Sequence, residues 1–346
     1  MLHELEIENF RCFEKLTAKP LGRVNLLVGK NNSGKTAFLD AVELLAWDEL
    51  TPPVFRSIVR REEYSWKLVD QGQGKIFNRF DLEVSNLFHG RSISTGSKFS
   101  IRNGERVVEV MLDPHGSERP MPHTSLLVNK SGLWSSLELT TNYLRRVEIS
   151  GHLEELFSRS RKEVLFLPTW RSDLVFLSKL WDEVLLTDEE ALIVDCLRIV
   201  EPRVERLAFR GDADDRNAVL RLKGEKLPCW LGSLGDGMRH ILALALHLAS
   251  AKDGYLLIDE IDTGLHYTVL SKMWKMVIES ARRLNIQVFA TTHSMDCILA
   301  LAEVHQQLEL TPEDLMVHRL VAGMDKTQTY QPNDLVSVAQ FQGEVR

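Results

Sequence analysis

Cysteine is scarce in this chain of 346 residues. The four present (Cys12, Cys196, Cys229, Cys297) show no C-x-x-C spacing. That excludes a disulfide framework and a cysteine-built metal site, and it fits free thiols in a reducing cytoplasm. No run of about 18 apolar residues occurs, so no membrane-spanning helix and no membrane partner is expected. The opening Met1-Leu2-His3-Glu4-Leu5-Glu6 lacks a basic segment followed by an apolar core, so no secretory leader is expected. Repeats, low-complexity tracts and sustained heptads are also missing, which argues against a solenoid or a long coiled coil. Positive charge is in deficit: 42 Lys and Arg stand against 49 Asp and Glu, a net of −7. This balance argues against a protein coated in nucleic acid and leaves a local basic groove open. The remainder, 44% hydrophobic and 26% charged, is that of a soluble globular chain with one large domain or two.

What is present centres on Gly29-Lys30-Asn31-Asn32-Ser33-Gly34-Lys35-Thr36, which fits the phosphate-binding P-loop pattern G-x-x-x-x-G-K-[ST]. Val24-Asn25-Leu26-Leu27-Val28 before it reads as a buried strand. Ala37 to Leu45 after it reads as a helix with apolar residues at helical spacing. Strand, loop and helix are the context the motif needs. Glycines let the backbone approach a phosphate, and successive N–H groups at the helix start face the anion. Gly29, Asn31, Asn32, Ser33, Gly34, Lys35, Thr36 and Ala37 form the candidate nucleotide-binding set. Lys35 is expected to reach the β- and γ-phosphates, and the Thr36 hydroxyl to ligate Mg²⁺.

Along the chain, Leu5 and Ile7 alternate with Glu4, Glu6 and Glu8, the pattern of an edge strand with one buried face. Asn9-Phe10-Arg11-Cys12-Phe13 follows. From about residue 48 to 162 helical runs shorten and turn residues become frequent, which predicts a β-rich insertion flanked by helical pieces. Its strands are expected near 98–101, 106–112, 125–128 and 134–139. Three basic clusters, Arg60-Arg61, Arg145-Arg146 and Arg159-Ser160-Arg161-Lys162, read mainly as solvated surface, with contact to nucleic acid left open. Glu163 to Pro168 looks like a return to the core sheet. It ends in Thr169-Trp170-Arg171-Ser172, in place to approach a nucleotide. Helices are expected within 173–186 and 188–200, the second capped by Thr187.

A second small-residue loop, Leu231 to Arg239, contains Gly235-Asp236-Gly237 and opens a long apolar helix. Tyr255-Leu256-Leu257-Ile258-Asp259-Glu260 is an apolar run ended by two carboxylates, a buried parallel strand whose C-terminal end is where open α/β sheets bind ligands. There Asp259 is expected to hold Mg²⁺ through water, and Glu260 to orient or deprotonate an attacking water. Ile286 to Ala290 reads as the next strand and leads to Thr291-Thr292-His293-Ser294. A lone histidine at a strand end is often structural. At this sheet edge His293 is read as a γ-phosphate contact.

Taken together these segments resemble the ABC-type ATPases of the SMC/RecF/OLD group. The resemblance is carried by Asn9 to Phe13, the P-loop, the signature Leu234-Gly235-Asp236-Gly237-Met238-Arg239, Asp259-Glu260, Asp262-Thr263-Gly264-Leu265-His266 and Thr292-His293-Ser294. The closest look is to compact OLD-allied ATPases of bacterial phage-defence systems. The resemblance implies an α/β P-loop fold with ABC-ATPase head architecture. The core would be residues 1–47 and 163–346, with a helical lobe near 173–240 and an insertion at 48–162. It further implies ATP and Mg²⁺ as cofactors and a head-to-tail homo-oligomer with two nucleotides sandwiched between heads. The P-loop, Asp259, Glu260 and His293 would come from one subunit, and Gly235-Asp236-Gly237 from the other. Arg11 would contact phosphate. Lys35, Glu260 and His293 would carry hydrolysis.

Three departures stand out. Gly235 replaces the serine of transporter-like signatures, so that hydroxyl is missing or comes from Ser233. No clear Q-loop glutamine is found. About fifty residues follow His293, too few for the Toprim nuclease domain of OLD proteins, so no nuclease activity is expected in this chain. The implied function is an ATP-driven switch controlling a separate effector, a nuclease being one candidate. The alternative is a RecF-like repair ATPase that binds DNA.

Overall fold

The computed structural model describes residues 1–47, 52–70, 76–94, 96–112, 124–139, 146–150, 164–169, 173–212 and 215–335. Trp170-Arg171-Ser172, Arg145 and Arg159 to Lys162 lie outside the described residues.

The chain opens with a hairpin, β1 (Leu5–Phe10) and β2 (Phe13–Ala18), followed by β3 (Val24–Val28) and helix α1 (Lys35–Ala46). Next come α2 (Pro52–Arg60), β4 (Tyr64–Asp70), β5 (Ile76–Glu83), β6 (Lys98–Asn103), β7 (Arg106–Leu112), β8 (Thr124–Lys130), β9 (Leu133–Leu139) and β10 (Arg146–Ser150). Strand β11 (Val164–Leu167) precedes helices α3 (Leu174–Val184) and α4 (Asp188–Leu197) and strands β12 (Val204–Asp212), β13 (Asp215–Leu222) and β14 (Cys229–Trp230). The last stretch is α5 (Asp236–Ser250), β15 (Tyr255–Ile258), α6 (Tyr267–Arg283), β16 (Gln287–Thr291), α7 (Met295–Leu308), β17 (Leu315–Arg319) and β18 (Gln328–Tyr330).

The central sheet runs β11-β15-β16-β3-β17-β18, parallel except for β18. Its strands read as continuous apolar runs because both faces are covered. Alternation then divides them between two cores. Val24, Leu26, Leu256, Ile258, Val288 and Ala290 pack with α3 to α7 on one face. Leu27, Leu257 and Phe289 pack with α1 and the antiparallel layer on the other. That layer is a second sheet, ordered β2-β1-β6-β7-β8-β9. Strands β6 to β9 therefore continue the sheet that β1 and β2 begin. Strands β10, β5 and β4 make a separate three-stranded sheet.

The structure corrects one expectation here. β1 is flanked by β2 and β6 and is not an edge strand. Its alternation Leu5-Glu6-Ile7-Glu8 records one buried face, which an interior strand of a half-covered antiparallel sheet shares with an edge strand.

Helix α1 lies between the two sheets, and every residue from Ala37 to Ala46 is buried. This includes two acids. Asp40 is fully buried and meets Arg11 Nε at 3.1 Å, Arg60 Nη2 at 2.9 Å and Arg61 Nη2 at 2.7 Å. Glu43 meets Arg60 Nη2 at 2.5 Å and Arg56 Nε at 3.8 Å. The Arg60 guanidinium also lies 3.6 Å from the centroid of the Phe166 ring. Buried charge persists only when paired and hydrogen-bonded. The reading of Arg60-Arg61 as solvated surface is thereby overturned. The side chains of Arg60 and Arg61 are only 10% and 29% exposed, and together they dock α2 onto the P-loop helix.

Candidate functional site

The P-loop lies between β3 and α1, at the C-terminal edge of the parallel sheet. Helix α1 starts from Gly34, at φ 101°, and no side chain caps it. A Cβ at Gly34 would lie 2.5 Å from the Phe13 ring, so glycine is required twice, by conformation and by space. The first turn carries no acidic residue. Uncapped N–H groups and the positive end of the helix dipole thus face outward, as an anion site requires. Lys35 Nζ donates to the carbonyls of Gly29 at 2.8 Å and Lys30 at 3.1 Å. Burial holds its ammonium below the usual lysine range, against the opposing pull of Asp259 and Glu260.

A cleft of about 590 Å³ opens in front of the loop. Asn31, Asn32, Gly34, Lys35, Thr36 and Ala37 line one side, Asp259 and Glu260 lie at its carboxylate end, and Arg11, Arg61, Glu63, His89 and Arg91 complete the wall. Asp259 directly follows β15 and accepts from the Thr36 hydroxyl at 3.3 and 3.2 Å and from the Thr291 hydroxyl at 2.7 Å. Glu260 follows with φ 55°, a left-handed conformation that an acid adopts only when its surroundings impose it. Its N–H donates to Thr291 Oγ1 at 2.8 Å. Its carboxylate faces His293 Nδ1 at 3.6 Å and accepts from the Thr263 hydroxyl at 3.4 Å. The structure brings Lys35, Thr36, Asp259, Glu260 and His293 to one edge of the sheet.

Thr291 belongs to this group, and the residue reading assigned it no part. Its signal lay in the register. Ile258 pairs with Ala290, so the next residues, Asp259 and Thr291, are neighbours across the strand ends. Arg61, Glu63, His89 and Arg91 were also missed, because nothing in their local sequence marks them as facing the P-loop.

Arg11 lines the cleft, at φ 52°, and its guanidinium is held. Nη1 donates to both oxygens of Glu63, at 3.1 and 3.2 Å, and Nη2 to Ser57 Oγ at 2.8 Å. The signature residues lie elsewhere. Gly235, Asp236 and Gly237 open α5, with Gly235 and Asp236 exposed and none of the three lining the cleft. Gly237 packs against the loop after Glu260, where a Cβ would sit 2.8 Å from Gly264 O.

The donors fit a hard divalent cation. Thr36 and Asp259 supply two adjacent oxygens, and among the described residues no cluster of three or more His, Cys, Asp or Glu forms a self-sufficient metal cage. Mg²⁺ is bound in this way, by one or two protein oxygens, with phosphate and water completing the shell.

Known proteins resemble this chain in sequence and in fold. A family model described as "AAA ATPase domain" matches residues 1–105. Another, described as "AAA domain, putative AbiEii toxin, Type IV TA system", matches residues 147–298. An ATP/GTP phosphatase of Helicobacter pylori is 22% identical over 337 residues, covering 88% of each chain. The DNA replication and repair protein RecF of Clostridioides difficile is 33% identical over 100 residues, 29% of this chain and 22% of its own length. An OLD nuclease of Thermus scotoductus is 44% identical over 48 residues, 14% of this chain and 9% of its own. A solved Smc head bound to the C-winged helix domain of ScpA has a TM-score of 0.51 at 13% identity, covering 97% of this chain and 99% of that one. Among the described residues no helix is long and apolar enough to cross a membrane. With a P-loop, paired carboxylates and a histidine at one edge of a head-like α/β fold, the chain is an ABC-type ATPase of the SMC/RecF/OLD group.

Proposed function

We propose that this chain is an ATP-hydrolysing switch that pairs head to tail with a second copy and thereby controls a separate effector. The observation that carries the pairing is the placement of the signature loop. Gly235 and Asp236 are exposed and outside the cleft of their own chain, so a phosphate contact from them needs the cleft of another copy.

Within one cleft, Lys35 leaves its two carbonyl partners to hold the β- and γ-phosphates. Thr36 and Asp259 would hold Mg²⁺, which would supply charge neutralisation at the phosphates. Glu260 takes the proton of, or orients, the attacking water, its carboxylate standing 3.6 Å from His293 Nδ1. His293 holds the γ-phosphate end beside it. Arg11 adds a phosphate contact. The closed pair gains γ-phosphate contacts that the open form lacks, and that difference in affinity drives closure.

The anti-phage setting rests on the likeness to OLD-allied ATPases. The toxin–antitoxin description of the matching family model and the short OLD nuclease match point the same way. A RecF-like role in DNA repair is the second reading, favoured by the RecF match. Strong, salt-dependent DNA binding that stimulates hydrolysis would select it.

The test is the mass of the Glu260→Gln protein by light scattering, with and without ATP·Mg²⁺. A nucleotide-dependent doubling is expected. A monomer that stays monomeric would remove the pairing model.

A further inference from the structure

Asp259 and Glu260 have parts in this cleft, but on the side of Arg11 it carries a third carboxylate, Glu63. It stands between α2 and β4, its N–H bonded to Ile58 O at 3.0 Å and its carbonyl taken by the Glu83 N–H at 2.9 Å. Its side chain lines the cleft along with Lys35 and Thr36, and it accepts twice from Arg11 Nη1.

The two partners differ in freedom. The Arg11 backbone is pinned, its N–H donating to Leu87 O at 2.9 Å and its carbonyl facing His89 Nδ1 at 3.3 Å. Its Nε lies 3.1 Å from Asp40 in an ion pair, and its Nη2 donates to Ser57 Oγ. Asp40 is immobilised in turn by Arg60 and Arg61. Glu63 has no such second anchor: its side-chain hydrogen bonds and ion pairs among the described residues are those to Arg11. Its side chain is also the more exposed, 19% against 5%, so it is the outer member of the pair.

We propose that Glu63 is a displaceable counter-ion for Arg11. A nucleotide phosphate entering the cleft takes Arg11 Nη1 from Glu63, and the released carboxylate swings out, loosening the α2–β4 junction. Two anions cannot both occupy one guanidinium edge in a half-buried cleft without strong mutual repulsion. The polyphosphate carries the larger charge and keeps its other contacts, so Glu63 is the one to leave. Nucleotide occupancy is thereby read by the sheet of β4, β5 and β10. Arg11 stays anchored through Asp40, so exchange costs it one partner and no change of place.

This inference rests on reading the cleft as the nucleotide site. The experiment measures MgATP affinity by calorimetry for the wild type, Glu63→Gln and Glu62→Gln, with hydrogen exchange across residues 57–70 of the wild type. Glu63→Gln removes the competing charge and keeps an amide oxygen for Arg11. Its Kd is expected to fall about five- to tenfold, the order set by one like charge at cleft distance in a partly screened site. Glu62→Gln, an exposed neighbour that does not line the cleft, is expected to change Kd less than twofold. Exchange at the α2–β4 junction is expected to quicken when MgATP is added. An unchanged or weakened affinity in Glu63→Gln, an equal gain in Glu62→Gln, or unaltered exchange would each overturn the proposal. A wild type that binds no MgATP would instead sink the nucleotide-site reading on which it rests.

Discussion

Asp40→Asn probes the buried charge that joins the P-loop helix to α2. Asp40 is fully buried and pairs with three guanidiniums at 2.7 to 3.1 Å. Its neighbourhood holds four arginines (11, 56, 60 and 61) and three acids (40, 43 and 63), an excess of one positive charge. Asparagine keeps the size and removes the charge, raising the excess to two around a site where Asp40 itself is sealed from water. Breaking a buried ion pair by removing one partner costs about 3–5 kcal/mol. With an unfolding entropy of about 2.1 cal/mol/K per residue, a chain of this length loses roughly 1.4 °C of melting temperature per kcal/mol. A drop of about 4–7 °C is therefore expected by differential scanning fluorimetry. The acid limb should change as well. Burial pushes the Asp40 carboxyl up, but Arg11, Arg61 and Arg60 outweigh it and hold the group below the usual aspartate range. Its stabilisation is full above the unfolded value and is lost as pH falls through the lowered one, and Asp40→Asn should flatten that loss. A melting temperature within 1 °C of wild type would refute the reasoning and mean that water reaches the cluster.

Four further outcomes are expected. Glu260→Gln should bind ATP within a few-fold of wild type and lose about 10²- to 10⁴-fold in turnover, and a normal hydrolysis rate would remove Glu260 as the base. Thr291→Val should lower turnover about tenfold or more while MgATP affinity holds, because one hydroxyl aligns both Asp259 and Glu260, and wild-type kinetics would show that the strand ends hold them unaided. Gly235→Arg mixed with Lys35→Ala should recover part of the ATPase rate that each lacks alone, and loss in every mixture of intact dimers would count against action in trans. Burial holds His247 and His318 neutral, each at about 4 against an ordinary 6.5. The unfolded chain therefore takes up protons first, and stability is full above about pH 6.5 and lost towards pH 4. The melting temperature should fall between pH 7.5 and 5, and His247→Phe should reduce that fall; an identical slope in the variant would exclude His247 as a cause.

Much of the site was legible because its parts are local. A P-loop is a backbone conformation written in consecutive residues, and Gly34 and Lys35 act within one turn of α1. The Asp259-Glu260 pair was readable for a similar reason: a four-residue apolar strand can only end at the sheet edge. Strands β7 (Arg106–Leu112) and β16 (Gln287–Thr291) were marked by their hydrophobic period and lie within one residue of expectation. The edge reading of β1 failed because period two reports one buried face and is silent on how many neighbours a strand has. Arg60-Arg61 misled for a related reason, since charge in sequence marks surface unless opposite charge arrives from elsewhere. Asp40 and Glu43 sit on another helix some twenty residues away.

By itself, then, the sequence determined the chemistry available at each strand end and the α/β class, because these follow from contiguous residues obeying backbone and hydrophobic periodicity. Only the tertiary structure decided which of those residues face one another. Glu63 against Arg11, Thr291 beside Asp259 and the signature loop outside its own cleft are products of register and helix docking, set by how two cores divide the faces of one sheet.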